Sequence, residues 1–277
     1  MLARVFPRKT NATPTDDYAF VGDPPLFIPD DIDEVHVSVA FSWDLTEADR
    51  LAHAWSRVAP VKIGGPATGM RGEAFVPGQY IKPGYVITSR GCPNNCWFCS
   101  VPKREGREIR ELPVVEGWNV LDDNLLACSD AHIKEVLSML KRQKERACFT
   151  GGLEAKRLRP WHVDLLKSLR PEKILFAFDT PDDWQPLVEA ARMFGYSGWS
   201  TRHILNAYVL VGYSGDTLLD AEDRCMRVKG LDITPMAMLY RDREGKTSST
   251  WRRFQRAWAR PAAIWGKRDL SYLEEVA

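Results

Sequence analysis

Val35, Val37 and Val39 alternate with polar neighbours, the period of a strand with one buried face. Thr46 can cap a helix whose apolar stripe is Ala48, Leu51, Ala52 and Trp55. A second short strand covers residues 61–63 and stops at Gly64-Gly65-Pro66. These predict one strand–helix–strand unit, too small to hold a domain's core. From Tyr85 a longer beat takes over. Strands are predicted to start near Tyr85, Asn119, Ala147, Lys173, Asn206 and Ile233, roughly 26 to 34 residues apart, the length of a βα unit in a parallel sheet. Helices fill the gaps. Ser129 or Asp130 caps one with Ile133, Val136, Leu137 and Leu140 on a single face, and Pro160 starts another with Leu165, Leu166 and Leu169. A third carries Leu187, Ala191 and Phe194 and stops at Gly195; a fourth runs from Asp216 or Thr217 to Gly230. The pattern predicts an α/β protein built on a partial parallel barrel.

The flanks differ. Residues 1–31 are rich in Pro, Asp and Thr and predict an extended arm with little structure of its own. Residues 32–80 hold the small βαβ appendage and a linker, with Gly and Pro frequent from 67 to 84. The core barrel is assigned to 81–245 and a helical tail to 246–277. In that tail Trp251, Phe254 and Trp258 fall at helical spacing, with Arg252, Arg253, Arg256 and Arg260 on the other side. This predicts an amphipathic helix closing the open end of the barrel. The alternative use of its basic, aromatic face is a phosphate-bearing substrate or nucleic acid.

Lys and Arg number 38 against 37 Asp and Glu, so no global charge draws the chain to nucleic acid or to a membrane. No apolar run is long enough to span a bilayer, and the N-terminus lacks a signal-peptide core. Six cysteines in 277 residues are not a secreted disulfide framework. Cys128, Cys148 and Cys225 are scattered in apolar segments and read as buried thiols. A reducing cytoplasm is the expected setting.

The remaining three cysteines are grouped. Residues 85–89, Y-V-I-T-S, read as a short buried strand ended by Arg90 and Gly91. Cys92, Cys96 and Cys99 follow in a CxxxCxxC arrangement, with Pro93, Asn94 and Asn95 keeping the loop out of regular structure. Three soft sulfur ligands suit an iron–sulfur cluster or zinc. A structural zinc site normally closes with four ligands, and no second CxxC or nearby HxxxH supplies the fourth. Lys103, Arg104, Arg107 and Arg110 follow, but interleaved Glu105, Glu108 and Glu111 predict a solvated charged loop.

In parallel barrels ligands bind at the carboxyl ends of the strands. Polar and glycine-rich stretches fall there in turn: Asp122-Asp123-Asn124, Thr150-Gly151-Gly152-Leu153-Glu154, Asp179-Thr180, the run from Gly212 to Thr217, and Tyr240-Arg241.

The cysteine spacing, with Phe98 directly before the third cysteine, resembles the radical S-adenosylmethionine superfamily. That resemblance covers residues 85–241 and implies a (β/α)6 open barrel. It implies a 4Fe–4S cluster held by Cys92, Cys96 and Cys99, whose free iron chelates S-adenosylmethionine and whose electron cleaves it to a 5′-deoxyadenosyl radical. It further implies an external electron donor of flavodoxin or ferredoxin type and a substrate that gives up hydrogen. Among the cofactor contacts, Asp122, Asp123 and Asn124 stand where the family often has its methionine-binding GGE. The G-G-L-E run of Gly151, Gly152 and Glu154 looks like that motif one strand later. Asp179 resembles the polar position near the cofactor's ribose. Leu210, Val211 and Gly212 lie in a stretch similar to the family's G-x-P-G-E-T, with Ser214 for the proline and Asp216 for the glutamate. Backbone at Leu210, Val211 and Phe98 would flank the adenine. The motif order is most similar to the branch that often carries an N-terminal cobalamin-binding domain, and V-H-V-S…G-G-P looks like the last third of one. The D-x-H-x-x-G ligand motif is absent, however, and His36 reads as an ordinary strand histidine, so cobalamin is not expected.

Overall fold

The computed structural model describes residues 1–72, 75–195, 203–242 and 244–266. It is an α/β protein with parallel sheets, divided into two units, Met1–Gly117 and Trp118–Ala277. Among the described residues no helix is long and apolar enough to cross a membrane.

The first unit contains β1 (Leu2–Phe6), β2 (Ala19–Val21), β3 (Glu34–Ser38), α1 (Leu45–Trp55) and β4 (Val61–Gly64). The four strands form one parallel sheet in the order β2-β1-β3-β4. The predicted arm over 1–31 is therefore corrected: β1 lies inside the sheet, between β2 and β3. Ala3 and Val5 join Val35, Val37, Ala48, Leu51 and Trp55 in one core. Arg4, on the other face of β1, is buried because Asp16 pairs with it and the carbonyls of Gly78 and Gln79 accept from it, each at 3.1 Å. The predicted strand at Val35 and its helix are present, but the helix starts at Leu45 with Asp44 in the capping position, ahead of the predicted Thr46. Asp44 is instead paired with Arg8.

Further along come β5 (Tyr85–Val86), β6 (Ser89–Arg90), α2 (Val101–Arg104) and β7 (Arg110–Glu111). The single strand predicted over 85–89 is thus two pieces. The chain turns between them so that Ser89 and Arg90 pair antiparallel with Glu111 and Arg110, and the Thr88 carbonyl accepts from Leu112 N–H.

The second unit alternates β8 (Asn119–Val120), α3 (Asp130–Arg142), β9 (Cys148–Phe149), α4 (Pro160–Leu169), β10 (Lys173–Ala177), α5 (Trp184–Gly195), β11 (Leu205–Val211), α6 (Leu218–Gly230) and β12 (Thr234–Leu239). Its strands lie side by side in sequence order and all run parallel. By the general right-handed rule, crossovers between successive neighbours put their helices on the same face; α3 packs on α4 and α4 on α5. Ile174, Phe176, Ala207 and Val209 are sealed on that face, with Phe176 against Phe194 of α5. By alternation the opposite face carries Leu175, Asn206, Tyr208 and Met236. The helix caps are local: Ser129 Oγ accepts from His132 N–H and Thr217 Oγ1 from Asp220 N–H.

The tail forms α7 (Ser249–Ala257) and α8 (Pro261–Trp265). Phe254 and Trp258 are fully buried, α7 lies on β12, and Arg252, Arg256 and Arg260 are exposed. Trp258 Nε1 donates to Glu222 Oε2 at 2.7 Å and Trp265 Nε1 to Thr234 Oγ1 at 2.9 Å. The rest of the predicted tail, 267–277, is outside the described residues.

Candidate functional site

Of the predicted positions, the three cysteines and Phe98 belong to the first unit and the others to the second.

The cysteine loop leaves β6 through Gly91. Its φ is +90°, and a Cβ there would run into the Glu108 carbonyl oxygen, so only glycine fits. Cys92 N–H donates to Gly106 O at 3.3 Å and Cys99 N–H to Cys96 O at 3.1 Å; Arg107 Nη2 holds the Pro93 carbonyl at 2.9 Å. None of the six cysteines is in a disulfide; these three are partly accessible, whereas Cys128, Cys148 and Cys225 are buried. Burial and the neighbouring Glu172 carboxylate push the Cys148 thiol up to about 11, which keeps it protonated and inert. Among the described residues no three His, Cys, Asp or Glu side chains converge as a metal-binding group. The fit to a metal cluster therefore lies in the donor chemistry: three soft sulfurs within one short loop.

Beneath this loop is a feature that sequence reading missed. Glu105, expected in a solvated charged run, is 1% exposed. Its carboxylate accepts from Arg104 at 2.9 Å, Arg110 at 2.6 Å and Arg90 at 3.5 Å, and from Gly72 N–H at 3.3 Å. Only Lys103, Arg107, Glu108 and Glu111 of the predicted run are exposed. The signal was Arg90, fifteen residues upstream, whose charge needs a partner once its strand is packed.

In the second unit the predicted stretches do follow the strand ends, and neighbouring ones meet. Asp122 and Asn124 are buried and Asp123 partly exposed. Asn124 Nδ2 donates to Glu154 Oε2 at 2.7 Å, and Arg157 Nε reaches the same oxygen at 2.6 Å. The two rival places for the methionine contact are thus joined through Asn124. Gly151 and Gly152 have a conformational reason to be glycines. A Cβ on Gly151 would lie 2.5 Å from Asp122 O and 2.7 Å from Leu121 C, and Gly152 turns the chain at φ +89°. Their role is the close approach of the loops after β8 and β9.

Asp179 ends β10. Its Oδ1 accepts from the Leu210 N–H at 2.9 Å, so these two predicted contacts are bound to each other. Burial, with Asp183 adding repulsion, pushes its carboxyl up to about 7. Val211 is fully buried on the helix face. Gly212 N–H donates to Asp216 Oδ2 at 2.7 Å, and Arg224 Nη2 bonds both oxygens of Asp216 at 2.9 and 2.8 Å. The opposite face of the sheet adds a short polar ladder: Tyr208 Oη donates to Thr150 O at 3.1 Å, and Thr150 Oγ1 to Asn119 Oδ1 at 2.6 Å. His36 lies on β3, its ring stacked on Tyr80 with centroids 6.0 Å apart.

Comparison with known proteins gives no match, either to a family model or to a curated sequence.

Proposed function

We propose that this chain is a cytoplasmic radical S-adenosylmethionine enzyme, with Cys92, Cys96 and Cys99 as the protein ligands of a 4Fe–4S cluster and a partial (β/α)6 barrel as its body. The observation that carries this reading is the division of the six cysteines: three buried singly in the second unit, three together on one accessible loop. Three thiolates suit a four-iron cluster with one iron left for an outside ligand. When bound, the cluster supplies the electron that splits the sulfonium of S-adenosylmethionine and yields a 5′-deoxyadenosyl radical, which takes hydrogen from the substrate. The sequential parallel strands, with helices on one face, support a barrel-type sheet over a doubly wound one.

The chain's own residues bind and orient. Asp122, Asp123 or Glu154 supplies a carboxylate to accept from the methionine ammonium, a charge-assisted pairing. Asn124 braces Glu154 from the adjacent loop. Asp179, close to half-protonated at neutral pH, can accept from or donate to a sugar hydroxyl. The first unit is read as a support without a corrin: its loop after β1 contains no histidine, and His36 is held in mid-strand.

The test is anaerobic reconstitution with iron and sulfide, then S-adenosylmethionine and dithionite. About four irons per chain are expected, lost in Cys96→Ala and kept in Cys128→Ala, with 5′-deoxyadenosine as product. Release of S-adenosylhomocysteine together with stoichiometric retention of hydroxocobalamin would move the reading to a cobalamin-dependent methyltransferase. A chain that takes up zinc and no iron would end it.

A further inference from the structure

We propose that this chain forms a two-fold dimer, in which the loop after β2, tipped by Leu26 and Phe27, seats in a cleft beside α1 of a second copy. Every residue concerned belongs to the first unit. A dimer of this kind does not depend on the cluster reading.

Leu26 and Phe27 are 98% and 92% exposed, the highest values of any large apolar side chain among the described residues. The loop that carries them is not loose. Its start is tied to α1: Trp55 Nε1 donates to Gly22 O at 3.0 Å, and Arg50 donates to both oxygens of Asp23 at 2.7 and 3.0 Å. Its end is tied to the body of the unit, where Ile28 and Ile32 pack against the buried core and Asp31 accepts from Tyr18 Oη at 2.9 Å. Pro24, Pro25 and Pro29 fix φ on either side of the tip. Two apolar side chains are thus held out in water by an ordered frame. A surface that is ordered before it binds loses little entropy on binding.

The same unit carries a cleft of about 420 Å³. Pro24, Ala54 and Val58 give it an apolar lining, and Arg50, His53 and Arg57 give it a basic one. At their exposure neither Leu26 nor Phe27 fills the cleft of its own chain. Charge selects the occupant. Arg50 is balanced by Asp23 and Glu47. Arg57 is exposed and has no ion pair among the described residues. Asp30, three positions past Phe27, is likewise exposed and has none. The tip is therefore flanked by an open acid and the cleft by an open base. A surface that holds both a plug and its match is self-complementary, which is what a two-fold interface requires. Phe27 of each copy enters the cleft of the other, and Asp30 of each meets Arg57 of the other. A bilayer would also take an apolar tip, but Asp23, Asp30, Asp31 and Asp33 around this one oppose an anionic lipid surface.

The test is sedimentation equilibrium of the full chain with a thiol reductant present, so that no cysteine cross-links the copies. A mass of two chains is expected. Phe27→Ser should weaken association on the order of a thousandfold, because an anchor loss of roughly thirtyfold is suffered at both contacts. Asp30→Arg and Arg57→Asp should each weaken it about tenfold or more, and the two together should restore most of it, since the pair re-forms with its signs exchanged. Circular dichroism should match the wild type throughout. A wild-type chain that stays monomeric across the micromolar range would overturn the proposal. So would a dimer indifferent to Phe27→Ser, a combined charge variant no better than either single one, or an assembly larger than two, which would make the contact head-to-tail. Co-sedimentation with phosphatidylglycerol vesicles that is lost in Phe27→Ser would assign the tip to lipid and overturn it as well.

Discussion

Two loops of this molecule are each anchored on a buried carboxylate, and they are charged differently. Under the cysteine loop, Glu105 serves three arginines and a backbone N–H. Under the 212–217 loop, Asp216 serves one arginine, Arg224, and the Gly212 N–H. Both carboxylates are 1% exposed. The second arrangement is neutral and closed, as befits a loop that only has to hold its shape. The first, among the described contacts, brings three guanidiniums onto one carboxylate.

That contrast can be broken. Glu105→Gln leaves three guanidiniums facing one another, so its cost should reach or exceed the ~3–5 kcal/mol typical of breaking a buried ion pair. Asp216→Asn should fall at the lower end of that range, and adding Arg224→Met should restore most of it, because the stranded charge is then gone. Urea melts read the size, and hydrogen exchange at Gly72 and Gly212 N–H reads the place. A Glu105→Gln chain more stable than the Asp216→Asn chain would refute the comparison.

Asp179 sharpens it with a carboxylate that takes the Leu210 N–H and no direct guanidinium bond among the described contacts. Its folded pKa of about 7 lies above the unfolded value of 3.8. The folded state therefore holds the proton more tightly, and stability should fall as pH rises through roughly 4 to 7, with the full penalty above that window. Asp179→Asn should raise stability at pH 8, on the order of a few kcal/mol, and flatten the decline. A smaller effect is expected at the rim. Replacing the carboxylate that holds the methionine ammonium should cost about 1.5–3 kcal/mol, roughly a ten- to hundredfold loss of S-adenosylmethionine affinity. Titrating Asp122→Ala, Asp123→Ala and Glu154→Ala locates it. Since Asn124 links the two loops, Glu154→Ala is expected to weaken binding even if Asp122 is the direct contact.

The second unit was legible because each strand brings its own helix. β8 and β10 start at the predicted residues, Asn119 and Lys173, and β9, β11 and β12 within one residue. Strand β1 was hidden for the opposite reason. It is five residues long, has Arg4 in the middle, and is followed by proline and by no helix. What permits Arg4 there is a pair of carbonyls more than seventy positions away, which no local pattern contains. Glu105 was misread likewise: in sequence it looks like Glu108 and Glu111, and only the arrival of Arg90 and Arg110 from separate strands distinguishes it. The rim stretches were found, but their roles were blurred because Gly151-Gly152 serves a backbone contact as well as any ligand would.

The tail has a consequence of its own. Among the described residues β12 has a strand neighbour on one side only, β11. On the other, Ala237 N–H donates to Trp258 O at 3.3 Å and Ala237 O accepts from Gln255 Nε2 at 3.4 Å. An unpaired row of peptide groups is a template on which a second molecule can add a strand. Residues of α7 and the turn after it fill that template with a backbone carbonyl and a glutamine amide that cannot propagate. Loss of α7 would leave the sheet's own bonds intact and open that row of peptide groups to a second molecule.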